Sequence, residues 1–192
     1  MCQGSNGDDG GAINVGAGSS IELIDCIFLN NTATNNGGAV FINSDSLTSD
    51  SLIKSSTFKD NTAANGGSIY VMSSTLNISA SEFTDSTSKG HGGAIYVAGK
   101  NTNIADSKFT SNHAEQSAGA IYISKYNVTV NEKTVIVEAQ NTSIEDCLFD
   151  DNSAVISGGA VRVSGTNTTI LRSHFDKNKV TAGYSGDSKG IG

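Results

Sequence analysis

The chain has 192 residues, 36% of them hydrophobic, with 22 glycines, no proline, no tryptophan and a net charge of −7. That balance argues against a nucleic-acid partner, which needs Lys and Arg clustered on one face, and no apolar run approaches the ~20 residues of a membrane-spanning helix. So many small and polar residues suit a narrow interior two or three side chains wide, and the lack of proline suits strands, because proline cannot donate to a ladder.

Two motifs alternate along the chain. Gly-Gly-Ala-Ile or a close variant begins at Gly10, Gly37, Gly66, Gly92, Ala118 and Gly158. Between its copies stand Phe28, Phe58, Phe83, Phe109, Phe149 and Phe175, and three residues after each comes Asn31, Asn61, Asn112, Asn152 or Asn178, with Ser86 in the third copy. A fixed repeat of this kind means a stack of like units. The units fall at about 10–36, 37–65, 66–91, 92–117, 118–157 and 158–182, within one domain over 1–192. The entry at Met1-Cys2-Gln3-Gly4 and the final Ser188-Lys189-Gly190-Ile191-Gly192, which resembles another motif beginning, read as an excerpt of a longer chain. Asp8 and Asp9 read as turn residues.

Within a unit the first strand carries an inward aliphatic pair, as in Ile95 and Val97, around an outward slot filled by Asn14, Phe41, Tyr70, Tyr96, Tyr122 and Arg162. A second short strand surrounds Leu23, Ile53, Ile78, Ile104, Ile144 or Ile170. A third brings Ser56, Ser81, Ser107, Ser173, Cys26 or Cys147 inward, followed two residues later by the phenylalanine. The expected fold is all-β: a single-stranded parallel β-helix of six to seven coils, each of about 25 residues and three strands. Parallel crossovers are nearly always right-handed. A short insertion near Asp45 to Asp50 lengthens one coil. A longer one, near 125–139, alternates apolar and polar residues and reads as a projecting β-hairpin. Cys26 and Cys147 lie four coils apart, roughly 19 Å at strand spacing, beyond the ~7 Å reach of a disulfide. They are expected as free, buried thiols, and Cys2 is unassigned.

The alternation of GGA[ILV] with FxxN resembles the polymorphic outer-membrane protein repeat, a family of autotransporter-type surface adhesins, and related adhesin-like β-helix proteins. The resemblance runs from about Gly10 to Asn178, with departures at Gly66-Gly67-Ser68-Ile69, Ser117-Ala118-Gly119-Ala120-Ile121 and Ser86. It implies a right-handed β-helix exported to the cell surface, acting in adhesion, with no catalytic residues.

The outward row Phe41, Tyr70, Tyr96, Tyr122 with Arg162 at its end is the chief binding candidate, a flat aromatic strip for a glycan or partner surface. The alternative is a ladder that only supports the sheet. Asp60 and Asp85 stand on adjacent coils, where they could share a calcium ion or remain solvated turn residues. Asp25, Asp106 and Asp146, with Arg172 next, form another outward set. Gly90-His91-Gly92 resembles the GHG of polygalacturonases, but the Asn-x-Asp, Asp pair and Arg-x-Lys that accompany it there do not assemble here. His113 and His174 lack metal-ligand spacing. Glycosylation sequons stand at Asn30, Asn77, Asn127, Asn141 and Asn167, with Asn127 on the projecting insert. These features point to a non-catalytic extracellular adhesion module. One alternative is a filament segment self-associating through the β-helix ends. A second is a polysaccharide-active enzyme on the same fold.

Overall fold

A computed structural model describes residues 2–3, 6–43, 50–72, 75–130 and 133–181, with the side chains of 2, 3, 6 and 126–138 outside the description. The chain winds as a right-handed parallel β-solenoid of about six coils, with no helix among the described residues. Each coil has four strands, not the three read from the sequence. In the coil beginning at Gly92 they are Ile95–Val97, Thr102–Ala105, Lys108–Thr110 and His113–Ala114. Equivalent strands pair in register from coil to coil, building four parallel sheets. The fourth strand follows the motif asparagine directly and is often two residues long, as in Thr62–Ala63 and Thr87–Ser88. Its single inward residue is small, for instance Ala33, Ala63 or Ala114. A two-residue strand leaves no periodicity to find. The strand Asn6–Asp9, expected as a turn, pairs with Thr32–Asn36 in this sheet, and Asp9 Oδ1 accepts bonds from the Asn36 backbone and side-chain nitrogens at 3.1 and 2.9 Å. Cys2 pairs with Phe28 at the head of the third sheet.

Corners explain the polar composition. Between the second and third sheets one residue per coil adopts left-handed backbone: Asp25, Ser55, Ala80, Asp106, Asp146 and Arg172. Between the third and fourth sheets the same is true of Asn30, Asp60, Asp85, Ser111, Asp151 and Lys177. Asp and Asn tolerate this conformation because their short side chains bond locally.

Ladders fill the interior. Phe28 to Phe175 stack with ring centroids 4.6–5.0 Å apart and planes within 8° of parallel. The first five are sealed from solvent, and burial of each contributes about 2 kcal/mol. Phe175, on the last described coil, is 45% exposed, as is Val163, which the pattern placed inside.

The asparagines form a second ladder. Asn152 shows the full pattern: Oδ1 accepts from both nitrogens of Asn112 at 3.0 and 2.9 Å, while Nδ2 donates to Phe109 O and to Asn178 Oδ1 at 2.9 Å each. The amides therefore bond along the stack and also satisfy turn carbonyls.

A third ladder runs through the serines. Ser56, Ser81 and Ser173 Oγ each accept a backbone N–H from the preceding coil and donate to the carbonyl two residues back; Ser107 follows the same scheme. Cys147 occupies this slot fully buried, its thiol pushed up to about 11 by burial, while Cys26 is only partly buried; both are free.

Two departures from the repeat prove to be one feature. At the third coil the asparagine is Ser86 and the small residue of the glycine motif is Ser68. Their hydroxyls lie 2.7 Å apart, and Asn61 Nδ2 donates to Ser68 Oγ at 3.2 Å. Ser68 thus supplies the acceptor that an asparagine at 86 would have given. Ser68→Ala leaves the Asn61 proton and the Ser86 hydroxyl without that partner, and Ser86→Asn crowds the Ser68 hydroxyl; each single change should cost about 1–3 kcal/mol. The double variant restores the pattern of the other coils and should fall within about 1 kcal/mol of the parent in denaturant unfolding. Simple additivity of the two losses would disprove the coupling.

The insert forms the expected hairpin, Lys125–Val130 antiparallel to Lys133–Glu138. The insertion near Asp45 to Asp50 lies almost wholly outside the described residues.

Candidate functional site

The outer slot of the first sheet builds the candidate strip, because in-register pairing superposes Phe41, Tyr70, Tyr96, Tyr122 and Arg162. Centroid separations are 5.6, 4.6 and 5.1 Å from Phe41 to Tyr122, matching the spacing expected from the coil repeat. The strip differs from a flat display of ring faces in two ways. Phe41 is 9% exposed, packed beside the glycine turn of the coil before it, where a Cβ on Gly10 would lie 3.1 Å from Phe41 Cβ. The rings also contact one another along the solenoid axis: Tyr70 stacks on Tyr96 within 10°, Phe41 and Tyr70 stand at 27°, Tyr122 is tilted 35° from Tyr96, and His91 stacks on Tyr122. Neighbours therefore cover the faces, and mainly edges and hydroxyls remain for solvent.

A polar row flanks the rings, at the residue preceding each glycine motif. Asn36 and Asn65 form a bridge, as do His91 with Ser117 and Ser117 with Ser157. Asn65 Nδ2 donates to Asn36 Oδ1 at 3.3 Å, and the His91 backbone N–H donates to Asn65 Oδ1 at 3.2 Å. His91, met in the sequence only within Gly90-His91-Gly92, stacks its ring on Tyr122 at 4.5 Å. The signal was present: His91 precedes its glycine motif as Ser117 does one coil later. Burial, then the charge of Arg162, hold the His91 imidazole below its ordinary pKa, so it is neutral near pH 7.

At the strip's end the Arg162 guanidinium lies 5.9 Å from the Tyr122 ring centroid, and Nη1 donates to both Ser117 Oγ and Ser157 Oγ. Tyr96 Oη donates to Ser124 Oγ at 2.7 Å, and Ser124 donates to the Lys125 carbonyl at 2.6 Å. This chain joins the strip to the root of the hairpin. Burial raises the Tyr96 phenol above its ordinary value.

Other candidates disperse. Asp60 and Asp85 occupy exposed left-handed corners, and among the described residues no three His, Cys, Asp or Glu side chains group as a metal site. Asp146 instead pairs with Arg172, which also reaches Glu145. His113 Nδ1 lies 2.9 Å from Ser153 Oγ on the outer side of the fourth sheet. Of the sequons, Asn30 occupies an exposed corner and Asn77 is partly buried on the second sheet. Asn141 and Asn167 are exposed members of an outer amide row with Asn101: Asn141 Nδ2 donates to Asn101 Oδ1 at 2.9 Å and Asn167 Nδ2 to Asn141 Oδ1 at 3.3 Å. The Asn127 side chain lies outside the description.

No helix of the described residues is long and apolar enough to cross a membrane. No curated protein and no solved structure matches the chain significantly. A family model, described as right handed beta helix region, matches residues 4–191. With nearly the whole length matched and the four in-register sheets behind it, this chain belongs to the right-handed β-helix family.

Proposed function

We propose that the chain is a non-catalytic binding or adhesion module, exported and displayed at a cell surface, in which the solenoid serves as a stalk and the strip from Phe41 to Arg162 makes the contact. One observation carries the reading: a continuous row of partly exposed aromatic residues, Tyr70, Tyr96 and Tyr122, runs across three coils and is tied through Tyr96 and Ser124 to the hairpin. Aromatic residues with a polar handle favour such interfaces, since one end is apolar and the other hydrogen-bonds. The covered ring faces favour contact through edges and hydroxyls over stacking on a sugar ring. The double variant Tyr96→Ala, Tyr122→Ala leaves the inner ladders intact. It is expected to lower binding of the labelled protein to cells or a glycan array by tenfold or more, with circular dichroism unchanged. Undiminished binding would reject the strip.

A second reading is end-to-end stacking into a filament, in which Ile170, Leu171, Phe175 and Val180, 39–47% exposed on the last described coil, would be covered by a coil of another copy. Association should then rise with protein concentration in sedimentation and be lost in Phe175→Glu. Identical sedimentation of the two proteins would remove this reading.

A further inference from the structure

Four cations stand on the last described coil, and three of them are paired. Arg172 bonds Glu145 and Asp146, Lys177 lies against Asp150 and Asp176, and Lys179 contacts Asp151. These three are well exposed, where water does most of the solvation. Arg162 is partly buried, and among the described residues no carboxylate approaches it. Withdrawing a guanidinium from water without a counter-ion is unfavourable.

The donors that remain have a definite shape. The two Nη1 protons are taken by Ser117 and Ser157, which holds the guanidinium over the Tyr122 ring. Nε and Nη2 have no described acceptor, and together they form the parallel fork that fits a carboxylate. The surroundings agree in sign. Aromatic edges carry the positive side of the ring quadrupole, and these edges point outward along the strip. The Tyr122 hydroxyl has no described partner and can donate. On a chain of net charge −7, this strip therefore favours a negative group.

We propose that Arg162, with Tyr122 beside it, is an anion-binding subsite that receives a carboxylate from an acidic polypeptide segment of the partner. The proposal rests on the reading of the strip as the contact surface and names the chemistry of its occupant. Polypeptide is favoured over acidic glycan because a pyranose would need a free ring face, and the Tyr122 ring is already contacted by His91, Tyr96 and Arg162.

Hexaglutamate is the probe, with hexaglutamine and a hexuronate oligosaccharide as comparisons, titrated into the full chain by calorimetry and by tyrosine fluorescence. Hexaglutamate should bind saturably and more weakly as salt rises. Arg162→Gln should lower its affinity about tenfold, the scale of a lost charge-assisted bond. Arg162→Lys should recover only part, because an ammonium keeps the charge but loses the fork. Both variants should keep the parent unfolding midpoint, since Arg162 belongs to no inner ladder. Equal affinity of Arg162→Gln and parent, equal binding of hexaglutamine, or preference for the uronate would each overturn the proposal. If Arg162→Gln has no effect while Tyr96→Ala, Tyr122→Ala abolishes binding to cells, the subsite fails and the strip stands. If neither variant changes binding, both fail.

Discussion

Gly93→Ala should unfold the stack from its middle, costing more than about 4 kcal/mol and leaving little folded protein. The reason is steric. A Cβ at Gly93 would lie 2.0 Å from Gly119 O, 2.6 Å from His113 O and 2.7 Å from His113 N. All three are backbone atoms held in place from coil to coil, Gly119 in the next coil and His113 in the fourth strand of the same coil, paired with Thr87 and Ser153 of its neighbours, so none can move aside without disturbing the stack. The same column holds Gly38, Gly67, Gly119 and Gly159, each with backbone within 2.0–2.7 Å of its would-be Cβ. The glycine just before behaves differently. It has positive φ, and a Cβ there would lie 2.1–2.6 Å from the carbonyl oxygen three residues on, within its own turn; in one coil its place is taken by Ala118 at φ 65, so that turn adjusts locally to a methyl at some strain. The second glycine of the motif is glycine in all six copies. Gly16→Ala is the control, since a Cβ there meets nothing within 4 Å. Denaturant unfolding should place it near the parent. A folded Gly93→Ala of parental stability would mean that the coils are not packed backbone to backbone at this column.

The fold was legible because the repeat superposes like residues and the largest of them, phenylalanine, appears almost nowhere else. Position in the motif told inside from outside for Phe83, Ile104 and Ser107 alike. The fourth sheet was illegible for the same reason: its inward residue is one alanine or serine in a two-residue strand, too short for alternation to register. The strip could be read as to its members and spacing, but not as to ring orientation. That depends on rotamers and on the glycine turn that walls in Phe41. Ser68 and Ser86 looked like separate lapses because they lie 18 residues apart in the chain, and only the winding of the coil brings their hydroxyls together. His91 entered the site by the same route. His91 ends the unit 66–91 and its neighbour Tyr122 belongs to the unit that begins at Ala118, so no local motif contains both.

The asparagine ladder yields the second large effect. In Asn112→Asp an oxygen replaces a nitrogen that donates to Phe83 O at 3.0 Å and to Asn152 Oδ1 at 2.9 Å. The new oxygen faces two acceptors in a position sealed from solvent. Flipping Asn152 offers no relief, because its Oδ1 also accepts the Asn112 backbone N–H at 3.0 Å, and a flip would set donor against donor. Each step of the ladder is polarised in this way by a backbone proton, so reversing one amide would require reversing every amide beyond it. An unpaired buried carboxylate costs about 3–5 kcal/mol, which is the expected loss at pH 7. The loss must also depend on pH in a set direction. The folded state favours the protonated acid, so the introduced carboxyl titrates above its unfolded value of about 3.9. Between those two values the folded state binds more protons than the unfolded state, and stability falls as pH rises through that window. Asn112→Asp should therefore be least impaired below about pH 4 relative to the parent, and should lose ground steadily toward neutral pH. Asn112→Leu, which removes the same bonds without adding a charge, should be destabilised with no such slope. A flat difference between Asn112→Asp and the parent across the acid-to-neutral range would show that the carboxylate reaches water, and that the amide column does not lie in the dry interior of the solenoid.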